Sequence, residues 1–61
     1  MMIRPEYWKV LRMSVQNARA WHLVQRNTSD ASEYALASSQ IRNALADATF
    51  AIVAIEDEEP Q

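Results

Sequence analysis

The chain contains no glycine at any of its 61 positions. Tight β-hairpin turns and phosphate-cradling loops commonly need backbone at positive φ, which glycine adopts without steric cost. Average proteins contain roughly 7% glycine, so its absence argues against a small β-fold and against nucleotide-binding turns. Alanine, the residue with the highest intrinsic helix propensity, is abundant instead. The composition therefore predicts an all-α fold.

A chain of 61 residues allows one domain, which we expect to span residues 1–61. A domain of this size buries only about 60% of its unfolded surface, so its stability alone is marginal. The lack of cysteine excludes disulfides and thiolate metal sites, and the single histidine, His22, excludes histidine clusters. We therefore expect oligomerisation to supply stability, and we expect no metal and no cofactor.

The chain divides at one cluster of turn-forming and cap-forming residues, Asn27-Thr28-Ser29-Asp30. Pro5 suits the first turn of a preceding helix, and Asp30 with Glu33 fits a capping box that begins a following one. The last residues are acidic, and negative charge at a helix C-terminus predicts fraying. The predicted segments are helix one over residues 5–26, a turn over 27–30, helix two over 31–56 and an acidic tail over 57–61.

Helix two carries a heptad pattern that we call the seam, with apolar or small residues alternately four and three apart: Tyr34, Ser38, Ile41, Leu45, Ala48, Ile52 and Ile55. Such spacing is typical of helices that pack against helices. Phe50 and Val53 lie on another face, so the last turns are apolar nearly all round and one partner helix cannot cover them. The run 49–55 could also form a buried strand, but the seam continues through it in phase, which favours helix. The predicted core or dimer contacts are Tyr34, Ile41, Leu45, Ala48, Phe50, Ile52, Val53 and Ile55.

Two helices joined by a short polar turn form an antiparallel αα-hairpin. A single hairpin has one contact line and leaves its outer apolar residues in water, whereas pairing two hairpins into a four-helix bundle covers them. We therefore expect a homodimer. The length and layout resemble the Rop-type dimer at the level of architecture, but no motif in the sequence carries that family's function over.

Charge is segregated between the two halves of the chain, with a net charge of +4 over residues 1–29 and −6 over residues 30–61. Three arginines of helix one are seven residues apart and therefore line one side of it: Arg12, Arg19 and Arg26, which we call the arginine row. None of them has an acidic residue three or four positions away within helix one. The predicted partner-binding residues are the row and its neighbours: Trp8, Lys9, Arg12, Gln16, Arg19 and Arg26.

The arginine row fits two kinds of partner, an acidic protein surface or the phosphates of a nucleic acid with Trp8 available for stacking. The commoner reading of such a row is a solvated face, or pairing across the hairpin, with the acidic tail near Arg4 and Lys9 and with Asp30 and Glu33 near Arg26. His22 falls within the apolar arc of helix one and is read as a structural residue. The net acidic chain argues mildly against nucleic acid.

Catalysis has little support, because the serines have no basic partner at a defined spacing and a hairpin this small is expected to lack a cleft of substrate size. The longest uncharged apolar stretch is far shorter than the ~20 residues that span a bilayer, so we expect no membrane association and a cytoplasmic protein. The preferred interpretation is a small non-enzymatic regulatory or adaptor protein that binds, and possibly inhibits, another protein as a homodimer. The alternatives are a Rop-like nucleic-acid-binding dimer and a structural assembly subunit.

Overall fold

The computed structural model describes residues 4–58 as two α-helices, α1 (Pro5–Asn27) and α2 (Ala31–Glu58). The helices pack against each other as a hairpin whose Cα atoms extend over 48 × 13 × 13 Å. The all-helical prediction is confirmed, and the run 49–55 is helical rather than a strand. The end of the predicted acidic tail, residues 59–61, lies outside the described residues.

The turn between the helices is built without any left-handed residue. At Thr28 the backbone is extended, with φ −89° and ψ 145°, and its N–H donates to the Val24 carbonyl at 3.0 Å. The Asn27 side chain donates to the Leu23 carbonyl at 2.8 Å, which satisfies another C-terminal carbonyl of α1. Within residues 4–58 no φ is positive. The connection therefore does not require glycine, which explains how a chain without glycine can form a tight hairpin.

Asp30 caps the start of α2, as the sequence predicts. Its Oδ1 accepts hydrogen bonds from the backbone N–H groups of Ser32 at 2.8 Å and Glu33 at 3.3 Å. The second half of the capping box is made differently, because the N–H of Asp30 donates to the Thr28 hydroxyl at 3.1 Å. Thr28 thus takes the role that the sequence pattern assigns to Glu33.

The open end of the hairpin is joined by Arg4 and Glu58. The backbone N–H of Arg4 donates to Glu58 Oε2 at 3.2 Å, and Arg4 Nε lies 3.4 Å from Glu58 Oε1. A carboxylate beside the N-terminus of α1 is favourable for that helix dipole. α2 continues to Glu58, two residues beyond the predicted end, and this contact is made by its last residue. The predicted approach of the acidic tail is confirmed at Arg4. Within residues 4–58, Lys9 forms no ion pair with the tail and Arg26 forms none with Asp30 or Glu33.

The contact between the helices is made mainly by small residues. On α2 the buried residues are Ala37, Ala44, Ala48, Ala51 and Ile55, of which the four alanines are called the alanine row. On α1 the buried residue is Ser14, and Leu11, Ala18 and Trp21 are half-buried. Because these side chains are short, the two backbones can approach closely.

The large side chains of the seam remain on the surface. Ala48 and Ile55 are buried and Ile41 is half-buried, but Tyr34 and Leu45 are 51% and 55% exposed and Ile52 is also exposed. Phe50, at 70% exposed, and Val53 are open to solvent on other sides of α2. The last turns are therefore apolar on several sides, as predicted, and α1 covers only the side formed by the alanine row and Ile55.

Candidate functional site

A groove of about 510 Å³ runs along one side of the hairpin, between the two helices. Its residues come in similar numbers from both helices: Ser14, Val15, Ala18, Arg19, His22, Gln25, Ser38, Ile41, Arg42, Leu45 and Ala48. Ligand-binding clefts commonly have volumes of roughly 300–1,000 Å³. The expectation that so small a hairpin lacks a cleft of substrate size is therefore wrong.

The groove follows from the difference in size between neighbouring rows of side chains. Ser14 and Ala48 are buried at the helix contact and form its floor. Val15 on α1 and Leu45 on α2 are each about half exposed and stand beside that floor as walls. Short residues at the contact and longer residues next to it leave a trough that one hairpin cannot fill.

A chain of hydrogen bonds crosses from α1 to α2 at the end of the groove nearest the turn. His22 Nδ1 and Gln25 Oε1 are 3.2 Å apart, and Gln25 Nε2 donates to Ser38 Oγ at 2.9 Å. Ser38 Oγ in turn donates to the Tyr34 carbonyl at 3.0 Å. Gln25 thereby holds the two helices in register at this level.

The same hydrogen bonds argue against a catalytic serine with a general base in the groove. A serine nucleophile needs its hydroxyl directed to a nearby base. Ser38 directs its proton to a backbone carbonyl, and His22 contacts Gln25 rather than a serine. Among residues 4–58, no carboxylate lines the groove that could act as an alternative base.

The charge at the groove is positive. Arg19 on α1 and Arg42 on α2 line it from opposite walls, and both are exposed. Among residues 4–58 the ion pair is Arg4 with Glu58, so neither groove arginine pairs with a carboxylate in this part of the chain. The groove therefore combines apolar walls with cations on both edges.

The structure brings together two surfaces that the sequence interpretation kept apart. Arg19 of the arginine row and Ile41, Leu45 and Ala48 of the seam line one groove. Arg12 and Arg26 are exposed seven residues from Arg19 and so continue its flank of α1 in both directions. The other predicted partner-binding residues are exposed but do not line the groove: Trp8, Lys9 and Gln16.

Several groove residues were not predicted as binding residues, chiefly Arg42, Val15, Gln25 and His22. A signal for Arg42 was present in the spacing, because it lies four residues after Ser38 and three before Leu45. Residues at those separations share one face of a helix. The net charge of helix two hides this signal, because Arg42 is the single cation among seven acidic residues over residues 30–61.

Comparison with protein families, with curated proteins and with solved structures finds no match. The resemblance to the Rop-type dimer thus rests on length and layout alone. In the described part of the chain, neither helix combines the length and apolarity needed to cross a membrane. Residues 4–58 likewise hold no cluster of three or more side chains suited to a metal ion.

Proposed function

We propose that this chain is a non-enzymatic protein-binding module, with a regulatory or adaptor role, that holds part of another protein in the groove. One observation carries the proposal: exposed apolar side chains line the same trough as two arginines that have no carboxylate partner within residues 4–58. Arginine is enriched among the hot spots of protein interfaces, whereas leucine and valine are not, so the specific contacts of the groove are its arginines. Leu45 and Val15 supply the apolar contact, and Arg19 and Arg42 supply charge at its edge.

Nucleic acid is the second candidate, favoured by the exposed arginine row with no carboxylate partner in residues 4–58. Phosphate contacts would use Arg12, Arg19 and Arg26, and the affinity would fall steeply with salt. They would leave the apolar walls of the groove in water, because phosphates gain nothing from Val15 or Leu45. A protein partner uses both features, so we prefer it.

Two copies are proposed to pair through Phe50 and Val53, which we call the C-terminal patch. Both residues are exposed and neither lines the groove. Pairing there would bury apolar surface that α1 leaves open and would keep the groove free for a partner. Light scattering from micromolar to millimolar concentration should show a dimer that Phe50→Glu converts to a monomer. A wild-type chain that is monomeric throughout that range would contradict the dimer.

The test of the binding proposal is a nuclease-treated pull-down from the native host with matched variants. Leu45→Glu places a charge on the groove wall, and Leu36→Glu places one on a comparably exposed residue of α2 outside it. We expect a protein retained by the wild-type chain and by Leu36→Glu and lost with Leu45→Glu. Equal retention by both variants would contradict a groove-dependent partner. Binding that the nuclease abolishes would favour the nucleic-acid candidate.

A further inference from the structure

We infer that the occupant of the groove is an amphipathic α-helix of another protein with acidic residues along both flanks of its apolar stripe. The inference rests on the proposed function and specifies the chemistry of the partner. It depends on three features of the groove: its walls, its length and the positions of its charges.

The walls of the groove favour a helix over an extended segment. An added strand is held by backbone hydrogen bonds to an unpaired sheet edge. Both walls here are α-helices, whose backbone groups bond within their own helix, so an extended segment would find no such edge. A helix brings its own backbone hydrogen bonds and needs only side-chain contacts from the groove.

The length of the groove matches a short helical segment. Its α1 side runs from Ser14 to Gln25, and its α2 side from Ser38 to Ala48. At 1.5 Å per residue this is about 16 Å, or roughly three helical turns. An occupant with apolar residues at positions i, i+3 or i+4, and i+7 would place its stripe between Val15 and Leu45.

The positions of the charges specify the flanks of the occupant. Arg19 and Arg42 stand on different helices, one at each edge of the groove. A helix seated with its apolar stripe downward turns one flank toward each arginine. Carboxylates on both flanks would each meet a guanidinium, and charge-assisted hydrogen bonds of that kind are stronger than neutral ones. Arg12 and Arg26 extend the positive edge along α1.

The same charges disfavour a second copy of this chain as the occupant. A two-fold dimer places one patch against the identical patch of its partner. Docking groove to groove would bring the Arg19 and Arg42 side chains of both copies together. In the described part of the chain, no carboxylate lines the groove to neutralise them. Like charges brought together at an interface weaken it.

The test uses the full chain and three designed helical peptides of about 21 residues, which is long enough to form a helix readily. All three carry leucine at the stripe positions and differ only at the flanks, which hold Glu, Gln or Lys. Fluorescence anisotropy should rank their affinities Glu above Gln above Lys. Two exposed ion pairs should make the affinity of the Glu peptide about 2- to 30-fold higher than that of the Gln peptide.

Arg42→Glu is the decisive variant, and Lys9→Glu is its matched control. Both reverse one exposed charge, but only Arg42 lines the groove. We expect Arg42→Glu to lower the affinity for the Glu peptide by about 3- to 20-fold and to raise the affinity for the Lys peptide. Lys9→Glu should change either affinity by less than about 2-fold at physiological salt. Circular dichroism confirms that both variants keep the helical fold.

Four results would overturn the inference. Equal affinity for the Glu and Lys peptides would contradict the prediction that the occupant has acidic flanks. Equal changes in peptide affinity with Arg42→Glu and Lys9→Glu would show that only the overall charge of the chain matters. Dissociation of a wild-type dimer by Leu45→Glu would make a second copy the occupant. If no peptide binds while the pull-down still finds a groove-dependent protein, the acidic helix is wrong and the proposed function stands; if both fail, both are wrong.

Discussion

The close helix contact at Ala51 predicts that a larger side chain there destabilises the hairpin. Ala51 is 1% exposed and lies in the alanine row against α1. Ala51→Leu adds three carbon atoms at a site where the helices already meet. Overpacking of this kind costs typically about 1–3 kcal/mol. A chain of this length has a total stability of roughly 3–9 kcal/mol, so the loss would be large.

The sign of the effect distinguishes close packing from loose packing. If the helices stood far enough apart to accept leucine, burial of its extra carbons would stabilise the hairpin by up to about 2 kcal/mol. Urea unfolding followed by circular dichroism measures the difference. Ala46→Leu is the control, because Ala46 is exposed and leucine there should change stability by less than about 0.5 kcal/mol. An Ala51→Leu variant that is as stable as the wild type, or more stable, would refute the close packing of the two helices at the alanine row.

Three further predictions test other parts of the structure by the same unfolding measurement. Leu45→Glu should keep the fold and cost about 1 kcal/mol or less, because Leu45 is mostly exposed, whereas Ala44→Glu should unfold the chain by burying a charge. Asp30→Ala should cost about 1 kcal/mol through loss of the cap on α2; a loss under about 0.3 kcal/mol would contradict that role. Arg4→Ala should cost less than about 1 kcal/mol, and the cost should shrink in high salt, because the pair with Glu58 is largely solvated.

The fold was predictable because its signals are local. The absence of glycine argues against a small β-fold, and the cap at Asp30 with the polar residues before it places a turn near residues 27–30 without reference to the rest of the molecule. The strand alternative for 49–55 failed because the apolar pattern there stays in phase with the preceding helical turns. Each of these signals depends on propensity and spacing, which a single sequence contains.

The face of α2 that meets α1 was harder to predict. Ala37, Ala44 and Ala51 are seven apart, and Leu45 and Ile52 form a neighbouring row with the same spacing. Hydropathy favours burial of the Leu45 and Ile52 row. The alanines pack against α1 instead, because close approach of two helices requires small side chains. The small residues Ser14 and Ala18 on α1 are the matching signal, and pairing small residues on both helices would have indicated the contact.

The candidate site was predictable only in part for the same reason. Arg19 was identified as a binding residue and Leu45 as a packing residue, yet their placement in one groove depends on which way each helix is rotated. That rotation is set by the alanine row. Once the alanines face α1, the larger seam residues are turned to the side, next to the arginines.

The most direct test is a methyl NMR titration of the full chain with the Glu-flanked peptide. If the groove binds an acidic helix, the methyl signals of Val15, Ile41 and Leu45 shift progressively, while those of Leu36 and Val53 stay in place. Shifts that concentrate at Leu36 and Val53, or the absence of shifts at saturating peptide, would contradict binding in the groove.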